Sequence, residues 1–404
     1  MVLDTSTAAA VLKTYYSNQR VTSLTYKDAP LYAMLDKVKD FFGSSYPLPM
    51  RVTNPQGRSA TFTNAQNQKK ESNYKTFSLT RVRDYSLASI STEAILASEN
   101  DAGAFLRLAT AEIDGALDSM RRSISWSLYG DGSGALGQVA SSDNTANSIT
   151  LTNVEDISKI EVGQTLVVWS AASGGSQRNY DGTNTTLTVK SVDRDAGSFA
   201  TNEDITSSKT IAANDYIFVS GDRGAKLSGL AAWIPSTAPT SGDSFFSVDR
   251  SVDATRLAGV RITSTGKPAD EALVDAARRM GREGANPDTV MTNFGRYASL
   301  EKTLGAKVRY KDVEVAGIAF RGIEVSGPKR AITVLPDADC PANLQYMLTM
   351  DTLALYSLKE PIMLLDQDGN KMLRESTADA HEVRVGGYFN FGCVSPRDNG
   401  VLIY

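Results

Sequence analysis

Residues 121–134 read RRSISWSLYGDGSG. Three glycines, Gly130, Gly132 and Gly134, alternate with Asp131 and Ser133. A phosphate-cradling loop of this composition follows a strand and opens a helix, so that the helix N-terminus faces the anion. Here the order is reversed. Leu106, Ile113, Leu117, Met120, Ile124 and Leu128 recur at steps of 7, 4, 3, 4 and 4, one face of an α-helix that runs into the glycines. No Gly-Lys-Ser/Thr closes the loop. Gly130 reads as the helix stop, and Asp131–Gly134 as a flexible exit.

The helix is about 28 residues, or roughly 42 Å at 1.5 Å per residue. Ser98 and Asp101 stand at a spacing like that of a capping box near its start. Acids fill its first half and Arg121 and Arg122 its last part, as the helix dipole favours. From Ser86 to Met120 there are six acids (Glu93, Glu99, Asp101, Glu112, Asp114, Asp118) against Arg107 alone. One apolar stripe on a helix this long describes a structural strut.

Ahead of it, residues 46–90 alternate between polar residues and small or aromatic ones. The run Thr76–Ile90 reads as a single strand, longer than the usual ~3–10 residues. Neither face is apolar enough to be buried in its own domain, so the hairpin needs a surface to lie on. Its charge is lopsided. Arg51, Arg58, Lys69, Lys70, Lys75, Arg81 and Arg83 face only Glu71 and Asp84 between Arg51 and Tyr85. This reads as a projecting arm that docks on an acidic partner, with a plain solvated hairpin as the alternative. Residues 1–45 read as an arm, apart from a short helical face at Leu31, Met34, Leu35 and Val38.

Beyond the glycines the composition shifts. Residues 138–227 are rich in Ser, Thr, Asn, Asp and Gly, with short β-branched runs between turn signals. Four or five short strands predict a small inserted β-barrel or sandwich. The rest mixes α and β. KPADEALVDAARRMGREG is a helix stopped at Gly284, and PDTVMTNFGRYASLEKTLG is a strand, then a helix, then Gly305. Strands joined by short turns follow, which predicts antiparallel pairing. IMLLDQDGNKMLR reads as a hairpin rather than a calcium loop, because the twelfth position is Thr377 instead of Glu.

The chain has 404 residues, 41% hydrophobic and 22% charged, enough for two or three cores. A net charge of -4 argues against a dedicated nucleic-acid binder. The two cysteines, Cys340 and Cys393, exclude a disulfide-rich scaffold and suit a reducing compartment. The single histidine, His381, precedes an alternating run and reads as a strand start. No nucleophile, metal or cofactor constellation stands out, so no enzyme is predicted. No basic start followed by an apolar run, and no apolar stretch near ~18 residues, marks a signal peptide or membrane span. The reading is a soluble chain of cytosolic origin.

The order of parts resembles the major capsid protein of tailed bacteriophages, the Hong Kong 97 phage capsid fold. SWSLYGDGSG after the helix, NPDTVMTNFGRYASLEKTLG, VAGIAFRGIEVS and YFNFGCVSPRDNGVLIY carry the likeness. The resemblance implies an α+β fold with an N-terminal arm (1–45), an extended E-loop hairpin (46–90) and a spine helix of a peripheral domain (91–137). An inserted β-rich domain (138–227), an axial domain with peripheral-domain strands (228–365) and C-terminal peripheral-domain strands (366–404) complete it. It implies a homo-oligomer of pentamers and hexamers that encloses double-stranded DNA without sequence-specific binding. Scaffolding protein, portal and a decoration protein are the implied partners, without a membrane or cofactor. The implied location is the virion capsid, assembled in the bacterial host cytoplasm. In such shells the hairpin of one subunit lies across its neighbour near the spine helix. Arg51, Arg58, Lys69, Lys70, Lys75, Arg81 and Arg83 would then face Glu99, Asp101, Glu112, Asp114 and Asp118 across an interface. Lys69 and Lys70 are also candidates for the lysine crosslink that some shells make to a neighbour's Asn. An encapsulin-like nanocompartment shell and a hydrolase with a β-rich binding module are the alternatives.

Overall fold

The computed structural model describes residues 29–92, 102–140, 147–180, 183–205, 210–305, 310–315, 318–327, 329–366, 369, 372–376 and 378–404. In chain order the first strands are β1 (Asp36–Val38), β2 (Ser45–Thr53), β3 (Asn73–Thr80) and β4 (Val82–Ser91), followed by helix α1 (Ala102–Tyr129). Next come β5 (Ala135–Gln138), β6 (Ser148–Thr150), β7 (Thr165–Trp169), β8 (Thr186–Asp193), β9 (Ser198–Thr201) and β10 (Tyr216–Val219). The short pair β11 (Ser244–Phe245) and β12 (Val248–Asp249) leads to β13 (Val260–Thr263), α2 (Ala269–Arg282), β14 (Thr289–Thr292) and α3 (Phe294–Leu304). The chain ends with β15 (Tyr310–Val315), β16 (Ile318–Ser326), β17 (Ala331–Pro336), β18 (Leu344–Leu348), β19 (Leu353–Ser357), β20 (Met363–Leu364), β21 (Leu373–Arg374), β22 (Ala380–Cys393) and β23 (Gly400–Ile403).

Residues 129–232 form one compact unit, and the chain on both sides of them forms the other. The boundaries fall at 129 and 232 rather than at the compositional limits 138 and 227.

The larger unit holds two main sheets. One is built on β22, fourteen residues long. β4 lies along one side of β22 from Ala380 to Phe389, and β19, β20 and β21 share the other side. The other sheet has seven strands in the order β13-β23-β18-β14-β17-β16-β15. Its core is apolar: Ala272, Leu273, Ala276 and Met280 of α2 and Leu300 of α3 pack with Val290, Val334, Met347 and Leu402 of the strands.

Several expectations change. The run Thr76–Ile90 is two strands in two sheets, broken at Arg81. Buried positions are odd in β3 (Phe77, Leu79) and even in β4 (Ala88, Ile90), so the inward face switches parity at the break. The chain segment 29–45 is more than an arm, since Leu31, Leu35 and Phe41 are buried. Residues 1–28 lie outside the described residues. Pairing is mixed rather than antiparallel throughout: β1 with β19, β13 with β23 and β14 with β17 are parallel. β20 and β21 do not form a hairpin with each other, because both pair with β22. The C-terminal segment divides between the sheets. After β22 the chain turns at Pro396–Asp398, where Ser395 Oγ donates to Asp398 Oδ2 at 2.7 Å, and β23 inserts between β13 and β18.

The smaller unit is a closed barrel. Its strands run β5-β10-β7-β8-β9-β6, and the bridge Val139–Leu151 joins the two ends of that order. Closure removes the free edges that a short six-stranded sheet would expose. Leu136, Val139, Ile149, Leu166, Val189, Phe199 and Ile217 are buried within it. Asp215 is 2% exposed and accepts two bonds from Arg178, Nε to Oδ2 at 2.8 Å and Nη2 to Oδ1 at 2.9 Å. That pairing raises the Arg178 guanidinium further above its ordinary value, the hydrogen bond to Asp215 being the main cause. The opening glycines belong to this unit. Asp131 Oδ1 accepts the Ser133 N–H at 2.9 Å, and Gly132 and Gly134 have φ of 87° and 80°. A Cβ at Gly134 would lie 2.6 Å from the Asp222 carbonyl oxygen, so only glycine fits there.

Candidate assembly surface

β2 and β3 form a two-stranded hairpin with a short helix, Phe62–Asn67, near its tip. Cross-strand pairs sort its side chains onto two faces. Leu48 with Phe77, Met50 with Lys75 and Tyr46 with Leu79 share the inner face, where Leu48, Phe77 and Leu79 are buried. Phe77 packs against Trp233 and Phe245, with ring centroids 5.2 and 6.3 Å away. The hairpin therefore finds part of its supporting surface in its own chain, which the sequence reading did not anticipate. The outer face carries Pro47, Pro49 and Arg51 opposite Ser78, Thr76 and Tyr74, and Tyr74 is 63% exposed. At the tip Phe62 is 81% exposed.

Pro47 and Pro49 have no N–H, yet the pairing with β3 runs past both. Their positions are those whose N–H would point to the open edge of β2. The two prolines thus deny that edge to another strand.

The structure divides the seven predicted bases. Arg51, Arg58, Lys69, Lys70 and Arg83 are exposed. Arg81 instead serves its own chain: Nη1 donates to the Phe41 carbonyl at 3.0 Å, and its guanidinium lies over the Phe41 ring. Lys75 sits on the inner face, near enough to Asp249 to help hold that carboxyl below its usual range, after the larger effect of hydrogen bonds from Ser251. Among the described residues none of the seven bases forms an ion pair in its own chain.

Of the acidic partners, Glu99 and Asp101 lie outside the described residues, as does the side chain of Glu112. Asp114 is half-buried, and Asp118 is engaged with Arg121 of its own helix at 3.4 Å. α1 buries Ile113, Leu117, Met120, Ile124 and Leu128, the stripe that the spacing predicts, while the Leu106 side chain lies outside the described residues. The helix is held against both sheets. Ser123 Oγ donates to Asp84 Oδ2 of β4 at 2.5 Å, and Ser125 Oγ donates to Asp339 in the turn after β17. On the far face of β4, Tyr85 lies against Gly386, where a Cβ would meet its ring at 2.7 Å, and Leu87 is 58% exposed.

His381 sits in β22 opposite Ile90 of β4, one residue after the strand begins. Cys340 and Cys393 are free and buried, and burial pushes the Cys393 thiol up to about 12. Among the described residues no cluster of three metal-binding side chains occurs, and no helix is long and apolar enough to cross a membrane.

Sequence reading missed Trp233, Phe245 and Phe246, which hold the base of the hairpin. The two phenylalanines lie twelve and thirteen positions after the tryptophan and carry no periodic signal, so only the fold brings them together.

No protein-family model matches this sequence. No curated protein sequence matches it. Among solved structures, the chain is similar to the cyanophage A-1(L) capsid asymmetric unit, at TM-score 0.51 and 15% identity, over 93% of this chain and 93% of that one. It is also similar to the capsid of a native GTA particle, at TM-score 0.44 and 11% identity, over 93% of this chain and 89% of that one. An encapsulin complex from Synechococcus elongatus matches at TM-score 0.43 and 8% identity, over 92% of this chain and 86% of that one. The cyanophage likeness spans both units in sequence and settles the fold: this chain is folded as a phage capsid subunit is.

Proposed function

We propose that this protein is the major capsid protein of a tailed bacteriophage, a shell subunit that assembles with copies of itself and encloses double-stranded DNA. The observation that carries the reading is the fold likeness to a phage capsid subunit across nearly the whole of both chains. The hairpin fits the part. Its base is fixed to its own chain, while its tip and outer face present Arg51, Arg58, Lys69, Lys70, Phe62 and Tyr74 to solvent. In this reading it is the E-loop, it lies on a neighbouring copy, and α1 is the spine helix. Acids just before α1 and in its first half, Glu99, Asp101, Glu112 and Asp114, are its partners there. Single exposed pairs contribute little, about 0–1 kcal/mol each, but a field of them sets register and selects partners.

The β-barrel of residues 129–232 is then an inserted domain on the shell subunit, and the seven-stranded sheet is the axial domain around the five- and six-fold axes. Pentamers and hexamers, a scaffolding protein, a portal and a decoration protein complete the assembly, in the host cytoplasm. The subunit performs no enzymatic step. Sedimentation of the purified chain, followed by nuclease digestion and a DNA assay of particles from phage lysate, tests this. Megadalton particles with protected DNA support it. A chain that stays monomeric under all assembly conditions contradicts it, and protein cargo in place of DNA would make the shell an encapsulin-like compartment.

A further inference from the structure

β11 and β12 are joined by two residues, Phe246 and Ser247, both in the left-handed region with φ of 45° and 70°. A two-residue hairpin with both φ positive is the type I′ turn, which favours Asn-Gly. A phenylalanine at the first position is a strained choice. Its neighbours hold it there. The Phe246 ring lies 4.4 Å from that of Phe245 and 5.8 Å from that of Trp233. Trp233 is itself fixed, with Nε1 donating to the Phe391 carbonyl at 3.0 Å, and Arg250 covers Phe245 at 4.3 Å.

The conformation has one product outside the turn. The Phe246 carbonyl accepts the backbone N–H of Ser78 in β3 at 3.0 Å. Ser78 faces Pro47 across the hairpin, so its N–H points to the free edge of β3. The carbonyl of the strained turn caps that edge, just as the prolines close the edge of β2. Two further bonds tie the hairpin to its own chain, one at each end of its strands: Arg256 donates to the Val52 carbonyl near the tip, and Asn390 donates to the Thr80 carbonyl at the base at 2.6 Å.

We propose that the Phe246–Ser247 turn is a positioning clip that fixes the direction in which the hairpin leaves the body and thereby makes the chain competent to assemble. This rests on the assembly reading above. Phe246 is a positioning residue that need not touch a neighbouring copy.

The test combines hydrogen exchange with assembly yield for three variants. Phe246→Gly keeps the turn accessible but removes the ring that enforces it. It is expected to raise the exchange rate of the Ser78 amide at least tenfold and to cut the yield of closed particles at least tenfold, with cooperative unfolding retained. Ser247→Gly leaves ring and carbonyl in place and is expected to match the parent in both readouts. Ser78→Pro stands in the same register as Pro47, where no bond crosses the hairpin, and removes the N–H that the Phe246 carbonyl accepts, so it decides the matter should Phe246→Gly fail to fold; a matching loss of particles is expected. Unchanged Ser78 exchange in Phe246→Gly would overturn the clip. So would raised exchange with parental particle yield. If the parent chain forms no particles, the assembly reading falls, while Ser78 exchange still decides whether the clip holds the hairpin.

Discussion

Arg81 donates from Nη1 to the Phe41 carbonyl at 3.0 Å, and its guanidinium lies 5.3 Å from the centre of the Phe41 ring. It stands where the chain leaves the hairpin and enters the sheet around β22. Charge reversal at Arg81 would therefore disturb the subunit as well as any interface. Arg81→Ala is expected to lower stability by about 1–2 kcal/mol through the lost bond and packing. A denaturant titration checks it.

The cleaner test of the docking charge uses exposed bases without an ion pair in their own chain. Arg51→Glu, Arg58→Glu, Lys69→Glu and Lys70→Glu in combination are expected to leave the melting temperature of the subunit within a few degrees of the parent. Particle yield is expected to collapse. Normal closed particles from this variant would remove the hairpin charge from the account.

Pro47 and Pro49 make a separate expectation. Replacing both with Thr restores two N–H groups on the open edge of β2. Folding should survive, since neither position bonds to β3. Light scattering should show concentration-dependent aggregation that the parent lacks.

Within the barrel, Asp215 depends on Arg178. Arg178→Met leaves a buried carboxylate without its main partner, a change that costs on the order of 3 kcal/mol. Amides of β7 and β10 should then exchange faster, with β14 and β17 unaffected. Equal exchange throughout would show that the pair is dispensable.

Cys393 gives a pH dependence. Burial holds its thiol neutral up to about 12, against an ordinary value of 9.0. Above pH 9 the unfolded chain loses this proton while the folded chain keeps it, so stability falls as pH rises. Tyr356 and Tyr404, pushed from 10.0 to about 12 chiefly by burial, add to the fall only above pH 10. Cys393→Ala should flatten the loss between pH 9 and 10, by up to about 1.4 kcal/mol for that pH unit. An unchanged slope in urea unfolding would contradict this.

Much of the fold is legible because it is periodic. The stripe Ile113, Leu117, Met120, Ile124, Leu128 gives α1 and its buried face, and Gly284 and Gly305 close α2 and α3. The break at Arg81 was legible too, in the parity switch from Phe77 and Leu79 to Ala88 and Ile90, but an alternating run invites reading as one strand. Long-range facts were not. The parallel pairing of β13 with β23 joins residues near 260 and 400, which no local pattern records. The candidate site was read as charge alone. Charge counting found the five exposed bases, but it also swept in Arg81 and Lys75, whose work inside the chain depends on what lies opposite them. The clip at Phe246 breaks the usual turn chemistry, so turn signals could not reveal it.

Electron microscopy of the purified chain under assembly conditions tests the central claim most directly. The expected result is closed icosahedral particles in which the β2–β3 hairpin of each subunit lies on a neighbouring copy. A uniformly monomeric or amorphous preparation, or closed particles with the hairpin contacting only its own subunit, would contradict it.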